Sequence, residues 1–360
     1  MLTNKTLLTL NDVTIVPTVF SDIESRKQCK VFYENGKLPL FTAPMSCVID
    51  EDNYETFQSA GVNTIVPRNV AFEKRLRLST KTFVAIGLEE LEYIISTMSF
   101  VEPHYFCIDI ANGHMRKLYT LCAKAKKIFG YNIVIMTGNI ANPETFYEIA
   151  NQYPGVVDYV RCGIGGGSVC TTAANTSIHY PMASLISDIY AECIRLDKKT
   201  NKPYPTVYPK LVADGGFSNF DQIIKALALG ADYVMLGKIF AKTEEACGET
   251  RMTYNFDNSK AKVFIDHHEL YGDKKYVKYR KYYGMSTKKA QKEFGGNGEK
   301  TAEGIERTVY VEYSLEQWVD NFISYLKSAM SYTGYSQLEN FIGGPTVMQM
   351  TNSAFNSYFK

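Results

Sequence analysis

Eight short apolar runs recur along this chain with helical patterns between them, and that rhythm constrains the fold more than any other feature. They read LPLFTAP (38–44), NTIVP (63–67), TFVAIG (82–87), YFCIDI (105–110), NIVIMTG (132–138), YVRCG (159–163), KLVADGG (210–216) and YVMLG (233–237). Most are apolar without alternation, the pattern of strands covered on both faces in a parallel sheet. Between them, MRKLYTLCAKAKKIF and NFDQIIKALALG carry apolar residues at three- and four-residue spacing. The second ends at Gly230, as a helix C-cap does. Eight such units predict an α/β fold, a TIM (β/α)8 barrel. An open doubly wound sheet is the competing reading. Against it, no G-x-G-x-x-G follows the first run, and GIGGGS after the sixth lacks that spacing.

The chemically suggestive residues gather at the ends of these runs. Met45 follows the first and Arg68 the second; Asp109 and Asn112 lie at and after the fourth, and Asn139 follows the fifth. Gly163–Cys170 follow the sixth, Asp214–Gly216 end the seventh, and Gly237 ends the eighth. In a TIM barrel the C-terminal ends of the strands build the active site. The length of 360 residues suits a single catalytic barrel domain over 1–360. Residues 249–313, rich in Lys, Tyr and Gly, are too long for a plain connection and predict a mobile flap. RLDKKTNKPYPTVYP (195–209) is polar and proline-bearing and reads as a surface excursion. In the C-terminal helix and tail, 314–360, WVDNFISYLKSAM (318–330) reads as a closing helix; ENFIGGPTVMQMTNSAF shows no clear period.

Composition narrows the function. A net charge of +1 gives no electrostatic grip on nucleic acid or an anionic membrane. No apolar run approaches the roughly 18 residues of a membrane span, and no signal-peptide pattern follows Met1. A soluble, cytoplasmic protein is expected, with neither nucleic acid nor membrane as partner. The eight cysteines form no CxxC pair, so zinc-ribbon and redox motifs are unsupported. The five histidines form no H-E-x-x-H. GDKKYVKYRKYY interleaves basic and aromatic residues as a single-strand binder does. The charge balance and barrel context favour a solvated face there.

The stretch RCGIGGGSVCTT (161–172) concentrates the chemistry. Consecutive glycines let backbone N–H groups approach a ligand closely, and Ser168 adds a hydroxyl. VADGG and LGK repeat the theme after the seventh and eighth strands, where TIM barrels often bind phosphate. The Asp214 carboxylate suits a ribose diol. A phosphorylated sugar ligand is the functional reading; glycines that merely relieve crowding are the bland one. Cys170 lies in a loop outside any apolar run. Either its thiolate attacks an electrophilic carbon, or it is an inert thiol. Thr172 either sets a hydroxyl beside the sulfur or caps backbone. Glu303, in KTAEGIE, either moves a proton through a neighbouring hydroxyl or is simply solvated.

LNDVTIVP, APMSCVID, DIANGH, GNIANPE, GIGGGSVCTT, VADGG, YVMLGKIFA, YYGMS and AEGIE follow one another here. In that order they resemble the IMP dehydrogenase and GMP reductase family, over about residues 8–335. The resemblance implies a TIM barrel assembled as a homotetramer. There is no inserted pair of CBS domains and no Arg-Tyr pair in the flap, and YYGMSTKKAQKEFGG and KSAMSYTGYSQLENF are similar to the GMP reductase branch. The resemblance thus implies NADPH-dependent reductive deamination of GMP to IMP and ammonia. The alternatives are a diverged IMP dehydrogenase or reductase of another purine (deoxy)nucleotide, and a non-catalytic nucleotide binder.

It also implies roles residue by residue. Cys170 is the nucleophile, with Thr172 and Glu303 as the proton route. Met45, Ser168, Asp214, Gly215, Gly216, Gly237, Lys238, Gly284, Met285, Ser286, Lys300 and Gly304 hold the nucleotide. Arg68, Asp109, Ile110, Ala111, Ile164 and Gly165 meet the cofactor, with Ser328, Ala329, Met330 and Ser331 reaching it at a subunit boundary. Carbonyls of Gly165, Gly167 and Cys170 form a monovalent-cation site, commonly for potassium. The chain departs from the family text in AANTSIHYPM after CTT, in Gly166 for proline, in Lys238 for a second glycine and in Lys300 for arginine.

Overall fold

The computed structural model describes residues 4–200, 208–254, 276–293 and 304–359. β1 (Val13–Ile15) precedes the main sheet. Eight strands then build it: β2 (Leu40–Thr42), β3 (Ile65–Val66), β4 (Phe83–Ile86), β5 (His104–Ile108), β6 (Ile133–Ile140), β7 (Tyr159–Cys162), β8 (Lys210–Asp214) and β9 (Tyr233–Leu236). Each lies within or across one of the eight apolar runs. Their order is β2-β9-β8-β7-β6-β5-β4-β3, and the pairs are parallel. The two ends of the sheet meet where Phe41 bridges Asn63. Thr42 N–H donates to Asn63 O at 2.9 Å, and Asn63 N–H to Leu40 O at 3.0 Å. The sheet is therefore a TIM barrel.

Strand alternation divides the apolar residues between two cores. Phe41, Phe83, Cys107, Met136, Val212 and Tyr233 fill the barrel. The rings of Phe41, Phe83, Tyr159 and Tyr233 meet there at centroid distances of 5.1–5.9 Å. The intervening residues, such as Val84, Phe106, Val160 and Ala213, face the surrounding helices. Helix Arg116–Phe129 buries Leu118, Leu121, Cys122 and Ala125, and helix Phe220–Leu229 ends at Gly230 with φ +116°. Both match the expected helices. The closing helix is longer than expected, Leu315–Thr333, because Ser314 caps its start and Gly334, at φ +80°, ends it.

Three regions outside the repeat show structure that their sequence did not mark. Helix Met182–Thr200 runs through the first part of the 195–209 stretch read as an excursion; 201–207 lie outside the described residues. The region read as a flap contains an antiparallel sheet of β10 (Thr250–Tyr254), β11 (Tyr276–Tyr283) and β12 (Glu306–Tyr310). The rest of that region, 255–275 and 294–303, lies outside the described residues. The tail without a period holds β13 (Val347–Gln349), which pairs antiparallel with β1, and helix Asn352–Tyr358. Among the described residues no helix is long and apolar enough to cross a membrane.

Candidate active site

A cavity of about 450 Å³ opens at the C-terminal ends of the barrel strands. Residues expected at the nucleotide line it: Met45, Ser168, Asp214, Gly215, Gly216, Gly237, Lys238, Gly284, Met285 and Ser286. So do Arg68, Asp109, Ile110, Ala111, Ile164 and Gly165, expected at the cofactor, together with Gly167, Cys170 and Thr172. Residues from seven of the eight strand ends thus reach one space, as the barrel dictates.

The loop after β7 carries Cys170. Among the eight cysteines, Cys29, Cys47, Cys107, Cys122 and Cys162 are buried. Burial pushes the Cys107 and Cys122 thiols up to about 12. Cys170 is partly exposed to the cavity, and its thiol donates to Thr172 Oγ1 at 3.2 Å. Cys170 N–H donates to Gly167 O at 2.9 Å, which closes the glycine turn. Gly165, at φ +75°, has no room for a side chain: a Cβ there would lie 2.5 Å from the Ala173 Cβ. Ala173 belongs to the short helix Thr172–Thr176 that opens the AANTSIH departure. Further on, His179 Nδ1 lies 2.7 Å from Ile164 O, so the departing segment packs back on the glycine loop.

Gly304 pairs with Cys170 as an isolated antiparallel bridge, and Ile305 N–H donates to Val169 O at 2.9 Å. The chain entering β12 therefore lies along the Cys170 loop. Glu303 and Lys300, expected on this segment, lie outside the described residues.

Beneath the cavity sits a charge network that the sequence reading missed. Tyr159 and Arg161 share the inner face of β7, so Arg161 stands above the aromatic layer. Its side chain is 3% exposed; Nη2 lies 2.9 Å from Asp109 Oδ1, and Nη1 lies 3.9 Å from Asp214 Oδ2. Asn139 Nδ2 donates to Asp214 Oδ2 and to Gly163 O, both at 2.8 Å. Burial raises the Asp214 carboxyl above the usual range, opposed chiefly by Arg161 and then by Asn139. The network joins Asp109, on the expected cofactor side, to Asp214, on the expected ribose side. An arginine in YVRCG carries no motif. Period-two alternation from Tyr159 was the signal that could have found it.

Three features mark the other end of the cavity. Gly215 and Gly216 hold φ of +104° and +88°, and Gly237 is so close to β11 that an added Cβ would lie 2.7 Å from the Tyr282 hydroxyl. Ser168 Oγ is buried next to that hydroxyl yet makes no well-formed hydrogen bond with protein. Lys238 is half-buried, and its ammonium is pushed down by burial and by the charges of Lys242 and Arg307. Ser328, Ala329, Met330 and Ser331 stand apart from this cavity, on the long C-terminal helix. There Arg26 Nη1 donates to Ser328 Oγ at 3.2 Å, and Ser21 Oγ to Ser331 O at 2.7 Å. Among the described residues no cluster of His, Cys, Asp and Glu offers a metal site.

Known proteins converge on the same reading. Residues 81–357 match the model of the IMP dehydrogenase / GMP reductase domain. A GMP reductase of Enterococcus faecalis is 28% identical over 96% of this chain and 97% of its own length. A GMP reductase of Buchnera aphidicola from Schizaphis graminum is 28% identical over 89% of this chain and 86% of its own. An inosine-5'-monophosphate dehydrogenase of Chlorobaculum tepidum is 31% identical over 63% of this chain and 41% of its own length. With a barrel of eight parallel strands and a cysteine loop opening into its mouth, the chain belongs to the IMP dehydrogenase / GMP reductase family of oxidoreductases.

Proposed function

We propose that this protein is a GMP reductase: it converts GMP, with NADPH, to IMP and ammonia. The observation that carries the reading is the Cys170–Thr172 pair at 3.2 Å in a cavity shared with Asp109 and Asp214. GMP reductases are also the relatives that match along nearly the whole chain.

In this reading Asp214 accepts hydrogen bonds from the ribose, while Ser168, Gly216, Gly237 and Lys238 hold the phosphate. The Cys170 thiolate attacks C2 of the purine, and a C–S bond forms. The C2–N bond then breaks, and the amino group leaves as ammonia with a proton relayed by the Thr172 hydroxyl and Glu303. A reduced nicotinamide, when bound, would supply the hydride that C2 needs, and release of the Cys170 thiolate from C2 would leave IMP. Asp109, Ile110, Ala111, Ile164 and Gly165 line the cavity beside Cys170 and suit the nicotinamide end. Ser328–Ser331 would meet that cofactor across a subunit boundary in a homotetramer. Carbonyls of Gly165, Gly167 and Cys170 would hold a potassium ion, with the Gly167 carbonyl already accepting the Cys170 N–H.

The test is to incubate the protein with GMP and NADPH and follow absorbance at the nicotinamide band, with Cys170→Ser as control. NADPH oxidation that Cys170→Ser abolishes is expected. Silence with GMP, but NAD reduction with IMP, would overturn the reductase in favour of a dehydrogenase.

A further inference from the structure

Two cations near the phosphate end of the cavity have no carboxylate partner among the described residues. Lys238 lines the cavity from the barrel, one residue after Gly237. Arg307 belongs to the three-stranded sheet, where it stands directly across from Tyr282. Directly opposed residues of an antiparallel pair share a face, and Val309, on that same face of β12, is buried. The Tyr282 hydroxyl in turn reaches Met45 Sδ at 3.7 Å and abuts Gly237. Arg307 is therefore on the side of the sheet that faces the barrel mouth. The nearby carboxylate is already used: Glu312 gives both oxygens to Lys242 Nζ, at 2.7 and 2.8 Å. Burial pushes the Lys238 ammonium down first, and the charges of Lys242 and Arg307 push it the same way against Glu312, a strain that a bound anion would relieve. The buried Ser168 Oγ faces the same end without a well-formed protein bond.

We propose that Lys238 and Arg307 form a two-cation clamp for the substrate's phosphate dianion, one cation from the barrel and one from the three-stranded sheet. The clamp makes the phosphate a strap between these two parts. Arg307 lies three residues beyond Gly304, which pairs with Cys170, so the strap bears on backbone that lies along the nucleophile. Arg307 is then a specificity-determining residue for a doubly charged monoester over an uncharged nucleoside. The clamp rests on the purine-nucleotide reading above for its ligand class, but not on the reaction.

Calorimetric titration of GMP, guanosine and inorganic phosphate into the full chain tests this without turnover. Arg307→Ala and Lys238→Met should each weaken GMP roughly ten- to a hundredfold, the range of a charge-assisted hydrogen bond. Both should weaken phosphate as well, and change guanosine by less than about threefold. The fall of GMP affinity with salt should be shallower in both variants than in the parent. Arg251→Ala, on the same sheet but paired with Glu249 at 3.1 Å, should leave GMP binding unchanged. Equal weakening of GMP and guanosine, or unchanged GMP affinity in Arg307→Ala, overturns the clamp. If Arg307→Ala fails to fold, Arg307→Gln is read by the same criteria. Phosphate-dependent GMP binding without NADPH oxidation would sink the reductase and leave the clamp standing.

Discussion

Replacing Arg161 by methionine tests whether the buried guanidinium holds the barrel mouth together. The side chain is 3% exposed, between carboxylates that are 22% and 20% exposed. Methionine fills much of the volume but removes the cation, so two carboxylates are left facing each other. Breaking such a pair costs about 3–5 kcal/mol near neutral pH. The pH dependence carries the stronger test. Asp214 already stands above its usual range through burial, and Arg161 is the main force opposing that rise. Without the arginine its folded pKa climbs further above the unfolded value of about 3.9. A carboxyl raised on folding contributes stability that is full below its unfolded pKa and lost as pH rises through its folded pKa. The deficit of Arg161→Met should thus be greatest near pH 8. It should shrink by up to about 1.4 kcal/mol per pH unit as pH falls through the raised Asp214 value. Urea unfolding between pH 5 and 8 reads this directly. Trp318 is the single tryptophan, 5% exposed and stacked on Phe220 and Phe322, and it supplies the fluorescence. Arg161→Lys should recover most of the loss. A deficit that is flat with pH, or that grows toward acid, would rule out this role for Arg161.

Thr172→Val should lower kcat for GMP by about 10²–10⁴-fold, the usual contribution of a positioned proton donor, in a steady-state assay. Gly237→Ala should fold but raise the KM for GMP several-fold. Its Cβ would sit 2.7 Å from the Tyr282 hydroxyl and 2.9 Å from Met45 Sδ, both ends of side chains that can yield. Gly163→Ala should give no soluble protein on expression. Its Cβ would lie 2.3 Å from the Asp214 carbonyl oxygen, at φ +121°, and neither backbone can yield.

The barrel was legible because parallel strands buried on both faces leave continuous apolar runs, and all eight coincide with strands. β11 was not legible, and Arg280 shows why. In YVKYRKYY an arginine reads as outward, yet Arg280 is 1% exposed, with Nη1 donating to Ala246 O at 2.6 Å. A buried cation inverts the polarity pattern that marks a half-buried strand. Much of the candidate site was legible too, because the glycine loop, Cys170 and Thr172 are contiguous. Arg161 and Asn139 were not assigned roles, since their meaning lies in distances across β6, β7 and β8. Arg307 carries no local signal either; its neighbour Tyr282 is reached only through cross-strand pairing.

The pairing of β1 with β13 bears on how the chain is made. Ile15 meets Val347, and Met350 N–H donates to Asp12 O at 2.8 Å, across more than 300 residues. The seam of the barrel has the same character, since β2 needs β9. A ribosome that has just released the first strand has none of these partners to offer. Leu10 and Val13, buried at 5% and 3% exposure in the finished molecule, pack on helix Phe220–Leu229 and on the β13 region, so they stay uncovered until both have been made. Such late closure lengthens the interval in which a nascent chain can aggregate. A translation arrest between the eighth barrel strand and the final helix should therefore leave a species bound by chaperones, whereas the released chain should not be.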